Sequence, residues 1–171
     1  LQKYLFLFTR KQVEKSFDFV PYKYGCFSFQ ANQDIVTLSK YGYLTISEFK
    51  EGRFVELNEG DATFFSSLNS TDQQFLVDIK KEFGGLSQTE LIRYTYVSYP
   101  YWATKSSIAM EILSEEELAE INARIRSFSE PVLFSIGYEG ITLEAYLNKL
   151  IINDVISEVS NPRYSKTSDN K

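Results

Sequence analysis

The 171-residue chain contains no histidine and one cysteine, Cys26. Without histidine there is no Ser-His-Asp triad and no Cys-His pair, so acid–base work would fall to carboxylates, lysine or tyrosine. One thiol makes no internal disulfide and no cysteine cluster for zinc, so no metal site is expected and no cofactor is implied. No apolar run approaches the ~20 residues of a membrane-spanning helix. Leu1–Phe8 is too short for one, is followed by Arg10 and Lys11, and lacks a signal peptide's small-residue cleavage site. The expectation is a cytoplasmic protein with no membrane contact. Because it begins at Leu1 and not at a methionine, the sequence is expected to lack its native start.

What is present is ordinary for a soluble globular protein: 43% hydrophobic and 24% charged residues, enough apolar mass for a core. The 14 Phe and 12 Tyr lie mostly before residue 105. A net charge of −5 argues against a general polyanion binder. The charge is uneven. Residues 1–50 carry seven Lys and Arg against four acids, whereas residues 111–154 carry three against nine.

The stretch Val132–Asn153 divides the chain. Val132–Ile136 reads as a short buried strand, Gly137-Tyr138-Glu139-Gly140 as a turn, and Thr142 as the cap of a helix through Leu143, Tyr146, Leu147 and Leu150. Val155–Val159 offers a second strand. Strand–turn–helix–strand is how an α/β domain begins. The expected organisation is a mainly helical domain over 1–126, a linker over 127–131, and the start of an α/β domain over 132–171 that is truncated or missing segments. The fold class is α+β.

Within the first unit, Leu1, Tyr4, Leu5 and Phe8 predict a buried N-terminal helix. An aromatic extended connection, Phe17–Phe27, follows. Cys26 sits in it between Gly25 and Phe27 with no base or cation-rich setting, which marks a structural, inert thiol. Ser28 caps a helix to Tyr41 closed by Gly42. Tyr43–Phe49 and Arg53–Leu57 flank Lys50-Glu51-Gly52 as a hairpin. Helix then hairpin is the order of a winged-helix unit, although Lys40, Lys50 and Arg53 are few cations for phosphate and stand among Glu48, Glu51 and Glu56. Ser70-Thr71 starts a helix stopped by Gly84-Gly85. Ser87–Glu90 and Ser114–Glu117 are capping boxes, the second opening a helix through Ile125 with Arg124 and Arg126 in its last turn. Tyr99, Tyr101 and Trp102, around Pro100, either stack on a partner or plug the core.

Phe134-Ser135-Ile136-Gly137-Tyr138-Glu139-Gly140, with Leu143, Tyr146 and Leu147, resembles the opening of a rhodanese-related bacterial and archaeal family, domain of unknown function 488. Glu158-Val159-Ser160-Asn161-Pro162-Arg163-Tyr164-Ser165 is similar to that family's continuation. It departs from the pattern where Glu158 replaces an aspartate and Ser160 an arginine, and the later cysteine-containing segment has no counterpart. Leu1–Leu5, Tyr24–Ser28, Leu38 with Tyr41–Leu44, and Leu86–Leu91 leading to Tyr99–Trp102 resemble the Panacea domain of SocA-type antitoxins and phage-associated proteins. The first resemblance implies a phosphate- or nucleic-acid-directed α/β domain of unassigned chemistry. The second implies a protein-binding module that neutralises a toxin or senses a phage product.

The resulting expectation is a regulatory binding protein of the antitoxin or phage-defence kind, with a toxin or phage component as partner. An enzyme acting on a phosphate-bearing or nucleic-acid substrate through the α/β domain is the alternative, and a winged-helix DNA-binding regulator a second. The partner would meet Tyr99, Tyr101 and Trp102. An anion site is expected where Gly137, Tyr138, Gly140 and Thr142 meet Asn161 and Arg163, because helix N-termini present free amides and a positive dipole.

Overall fold

Apolar side chains crowd the first helix, α1 (Gln2–Lys11), and Phe6, Leu7 and Phe8 are buried. The computed structural model describes residues 1–49, 52–58, 63–125, 128–130, 132–137 and 139–155. Thr9 is also buried, and its hydroxyl donates to the Phe6 carbonyl at 2.9 Å, which satisfies it inside the core.

The extended connection predicted after α1 is a hairpin. β1 (Val20–Tyr22) and β2 (Gly25–Phe27) pair antiparallel, Val20 opposite Phe27 and Tyr22 opposite Gly25. Three residues per strand are too few to show alternation, which is why the sequence pattern does not reveal it. The left-handed angle needed to turn the chain falls on Gly25, at φ +85°. β2 lies against α1, which places Cys26 in the core.

Ser28 caps α2 (Phe29–Lys40) as predicted, its Oγ accepting from Ala31 N at 3.2 Å. Gln2 ties this start to α1 by accepting from Ser28 N at 2.9 Å and donating to Ser28 O at 3.2 Å. Past Gly42, β3 (Leu44–Phe49) and β4 (Gly52–Leu57) form the second antiparallel hairpin, with β3 packed on α2. Arg53 Nη1 donates to Asn32 Oδ1 at 3.1 Å and fastens the hairpin to that helix. Lys50 and Glu51 lie outside the described residues.

A four-residue helix, α3 (Thr63–Ser66), precedes α4 (Ser70–Phe83). The cap of α4 is Asn69 rather than Ser70; its Oδ1 accepts from Asp72 N at 2.8 Å. Both predicted capping boxes are present, Ser87–Glu90 opening α5 (Gln88–Ser98) and Ser114–Glu117 opening α7 (Glu115–Asn122). Between these two helices come a 3₁₀ turn, Pro100–Ala103, and the short α6 (Ala109–Ile112). Two clusters form the core. Phe6, Phe19, Cys26, Phe83 and Leu91 centre the first, and Ile92, Tyr96, Leu113 and Ile121 the second, so α5 serves both.

Two sequence expectations change here. α7 stops at Asn122 instead of reaching Ile125, so Arg124 lies past its end; Arg126 is outside the described residues. Residues 132–137 form no strand, and Val132, Leu133 and Phe134 are exposed rather than buried. A strand exists only through its ladder. All strand pairing among the described residues is within the two hairpins, and the expected second strand lies outside those residues except for Val155. The helix predicted after Thr142 is present as α8 (Leu143–Ile152), and it packs against β1. The fold is therefore mixed α+β, mostly helical with two small antiparallel hairpins.

Candidate functional site

The aromatic run after α5 is spent on the interior. Phe6 meets Phe19, Tyr99 and Trp102 edge-on, with ring centroids at 5.3, 5.1 and 5.3 Å. Tyr101 meets Trp102 edge-on at 5.1 Å and donates its hydroxyl to Asn148 Oδ1 at 2.9 Å. Burial pushes the phenols of Tyr99 and Tyr101 above their ordinary range; at Tyr99 the neighbouring Tyr94 adds to this and Arg10 opposes it. Of the two readings open for Tyr99, Tyr101 and Trp102, the contacts are those of a core plug, with each residue half-buried.

The loop before α8 holds Gly137, Gly140 and Thr142; Tyr138, Asn161 and Arg163 lie outside the described residues. Gly140 takes φ +73°, and a side chain at Gly137 or Gly140 would meet nothing within 4 Å. Thr142 caps α8 by accepting from Ala145 N at 3.1 Å, and its hydroxyl donates to Asp18 Oδ2 at 2.9 Å. Glu144, in the first turn, is buried and accepts from Gln30 N at 3.1 Å. The positive end of α8 thus has the chain's own carboxylates beside it.

A second cluster surrounds Cys26, a few residues from the β1–β2 turn. Lys3 Nζ donates to the Tyr24 carbonyl and lies 5.7 Å from the centre of the Tyr96 ring, whose hydroxyl pairs with Ser106 Oγ at 2.7 Å. One cation, Lys3, therefore acts on the thiol. Burial nevertheless dominates and pushes Cys26 from 9.0 up to about 11, with Lys3 opposing; burial likewise lowers Lys3 and raises Tyr96 to about 12. At neutral pH that leaves about a hundredfold less thiolate than an ordinary cysteine. Folded protein should accordingly be alkylated by iodoacetamide at pH 7.5 at least a hundredfold more slowly than urea-unfolded protein. Equal rates would show Cys26 to be reactive.

The exposed aromatic surface of the β3–β4 hairpin is the feature that sequence reasoning missed. One of its faces carries Leu44, Ile46 and Val55, opposite Leu57 and each other; the other carries Phe49 and Phe54. Phe49 is 60% and Phe54 52% exposed, and the two rings meet at 5.3 Å. Tyr43 and Phe64 of α3 form a second exposed pair at 5.6 Å, with Phe65 and Leu57 exposed nearby in the chain. Phenylalanines on the face that Thr45, Ser47 and Glu56 otherwise make polar were the available signal.

Two open clefts lie elsewhere on the described surface. One, of about 380 Å³, lies between α5 and α7, where Glu117 is already paired with Arg93. The other, about 120 Å³, lies beside Arg10, Glu82 and Tyr94. Among the described residues no three Cys, Asp or Glu side chains gather as metal ligands, and no helix is long and apolar enough to cross a membrane. No protein-family model, curated protein or solved structure matches the chain.

Proposed function

We propose that the protein is a binding module of the bacterial antitoxin or phage-defence kind, and that it holds a protein partner on the β3–β4 hairpin and α3. The observation that carries this reading is the pair of exposed ring contacts, Phe49 with Phe54 and Tyr43 with Phe64. Exposed aromatic clusters mark interaction surfaces, and aromatic anchors supply most of the binding energy at protein interfaces. The charges nearby favour a protein over a duplex. Glu48 stands opposite Arg53 across the hairpin, Glu56 lies on β4, and Lys40 is the sole cation of α2, too few free cations to track phosphates. That the partner is a toxin or phage component comes from the resemblance of the first unit to the Panacea domain.

The test is the double variant Phe49→Glu, Phe54→Glu in the full chain. Both side chains are exposed, so the melting temperature should stay within a few degrees of wild type. A partner retained by tagged wild-type protein from its own cells, and identified by mass spectrometry, should bind the variant at least a hundredfold more weakly. Unchanged affinity, or salt-dependent binding of duplex DNA in place of protein, would reject the reading.

A further inference from the structure

The register of the β3–β4 hairpin fixes which backbone groups it leaves open. Asn58 N donates to the Tyr43 carbonyl at 3.0 Å just beyond the strands, so Tyr43 and Asn58 are a hydrogen-bonded pair. In an antiparallel ladder such pairs alternate with pairs that share no hydrogen bond. Followed along the register, Thr45 bonds with Glu56 and Ser47 with Phe54, whereas Arg53, Val55 and Leu57 turn their N–H and C=O groups away from β3. Among the described residues no strand pairs with β4 on that side, and none of these groups has a backbone partner. β3 carries the packing on α2, which leaves β4 as the outer strand. Its edge has neither the bulge nor the proline that commonly blunts one, and Arg53, Phe54, Glu56 and Leu57 are exposed.

We propose that the outer edge of β4 takes an extended segment of the protein partner as a third, antiparallel strand, and that this segment carries a lysine or arginine two positions before an apolar residue. The inference rests on the hairpin as the partner's seat, and it names the part of the partner that sits there. N–H and C=O groups turned outward at every second residue are matched by another extended backbone, which presents its own at the same spacing. Side chains of the added strand continue the two faces of the ribbon. Opposite Phe54, which with Phe49 forms an exposed ring pair, an apolar residue extends the aromatic surface. Opposite Glu56, which has no ion pair among the described residues, a cation supplies the missing charge. A second copy of β4 fits badly. Two-fold pairing centred on Phe54 sets Glu56 against Gly52, centred on Val55 against Phe54, and centred on Glu56 against itself.

The experiment selects a displayed library of random octapeptides on the full chain and measures the enriched peptide against variants. Enriched peptides should carry the cation and the apolar residue at this spacing, with no proline between them. Val55→Pro removes one outward N–H and leaves the bonds to β3, so it should weaken the peptide about tenfold or more, whereas Val55→Thr should not. The peptide carries the same test should Val55→Pro fail to fold. N-methylation of the residue between the cation and the apolar residue should abolish binding to wild type, and N-methylation of either of those two should be tolerated. Hydrogen exchange should show the Val55 and Leu57 amides open in the unbound chain and protected by the peptide. An unenriched library, indifference to N-methylation, protection in the unbound chain, or a wild-type dimer that Val55→Pro dissolves overturns the proposal. A peptide lost with Phe49→Glu, Phe54→Glu but kept by Val55→Pro leaves the hairpin surface standing and refutes the edge.

Discussion

Gly25→Val should remove a large part of the fold's stability. Gly25 has φ +85°, which costs a branched side chain about 1–2 kcal/mol. A Cβ there would also fall inside van der Waals contact with Tyr96 Cε1, and within 3.2 Å of Tyr96 Cζ and 3.1 Å of Lys3 Nζ. Tyr96 has no room to retreat, being 1% exposed and hydrogen-bonded to Ser106. Backbone strain, overpacking and the lost hydrogen bond sum to about 3–6 kcal/mol, against a total stability of about 5–15 kcal/mol. Gly42 supplies the control. Its φ is +80°, yet nothing lies within 4 Å of the position a Cβ would take. Gly42→Ala therefore carries the backbone cost alone, and thermal melts of Gly25→Ala and Gly42→Ala isolate the close approach by difference. Equal melting temperatures would show that Gly25 is not pressed against Tyr96.

Phe6→Ala should remove about 3–5 kcal/mol, the usual cost of emptying a buried phenylalanine site. Phe6 is 1% exposed and contacts three rings, Phe19, Tyr99 and Trp102, each edge-on. Phe19 precedes β1 whereas Tyr99 and Trp102 belong to the 3₁₀ turn, so a collapse that filled the void would have to move two segments together. Phe6→Leu keeps most of the apolar contact and should cost less. Urea unfolding followed by far-UV circular dichroism measures both, since Trp102 itself touches Phe6 and would mislead as a fluorescent probe. A loss below about 1 kcal/mol for the alanine variant would mean that Phe6 is not the hub of the first cluster.

What could be read from sequence was local chemistry. Ser28, Ser87 with Glu90, Ser114 with Glu117, and Thr142 all cap the helices they precede, because a cap needs only a side-chain oxygen two or three residues from an orphan amide. The β3–β4 hairpin was legible for a similar reason, its strands long enough to alternate and its turn marked by Gly52. Features that depend on distant partners were not legible. A strand at 132–136 satisfies composition but needs a neighbour to pair with. α8 was recognised by Leu143, Tyr146, Leu147 and Leu150, yet the side chain it buries is Glu144, a choice fixed by Gln30 more than a hundred positions away. In the candidate anion loop the Thr142 cap was legible, but not that Asp18 would be the group accepting from its hydroxyl. Tyr99 and Trp102 could not be assigned to core or surface until Phe6 was placed between them.

The wide separation of α1 from its partners also sets a clock. Tyr4 hydrogen-bonds to the carbonyl of Phe83, 79 positions later, and Phe6 waits for Tyr99 and Trp102, later still. At about 5–20 residues per second, the ribosome needs roughly 4–16 s to make the chain between Tyr4 and Phe83. Throughout that interval Tyr4-Leu5-Phe6-Leu7-Phe8 is outside any completed core, an apolar string suited to a nascent-chain chaperone. Losses during overproduction should therefore begin at α1 while synthesis is under way, and slowing growth or supplying a holdase should raise the yield of folded protein.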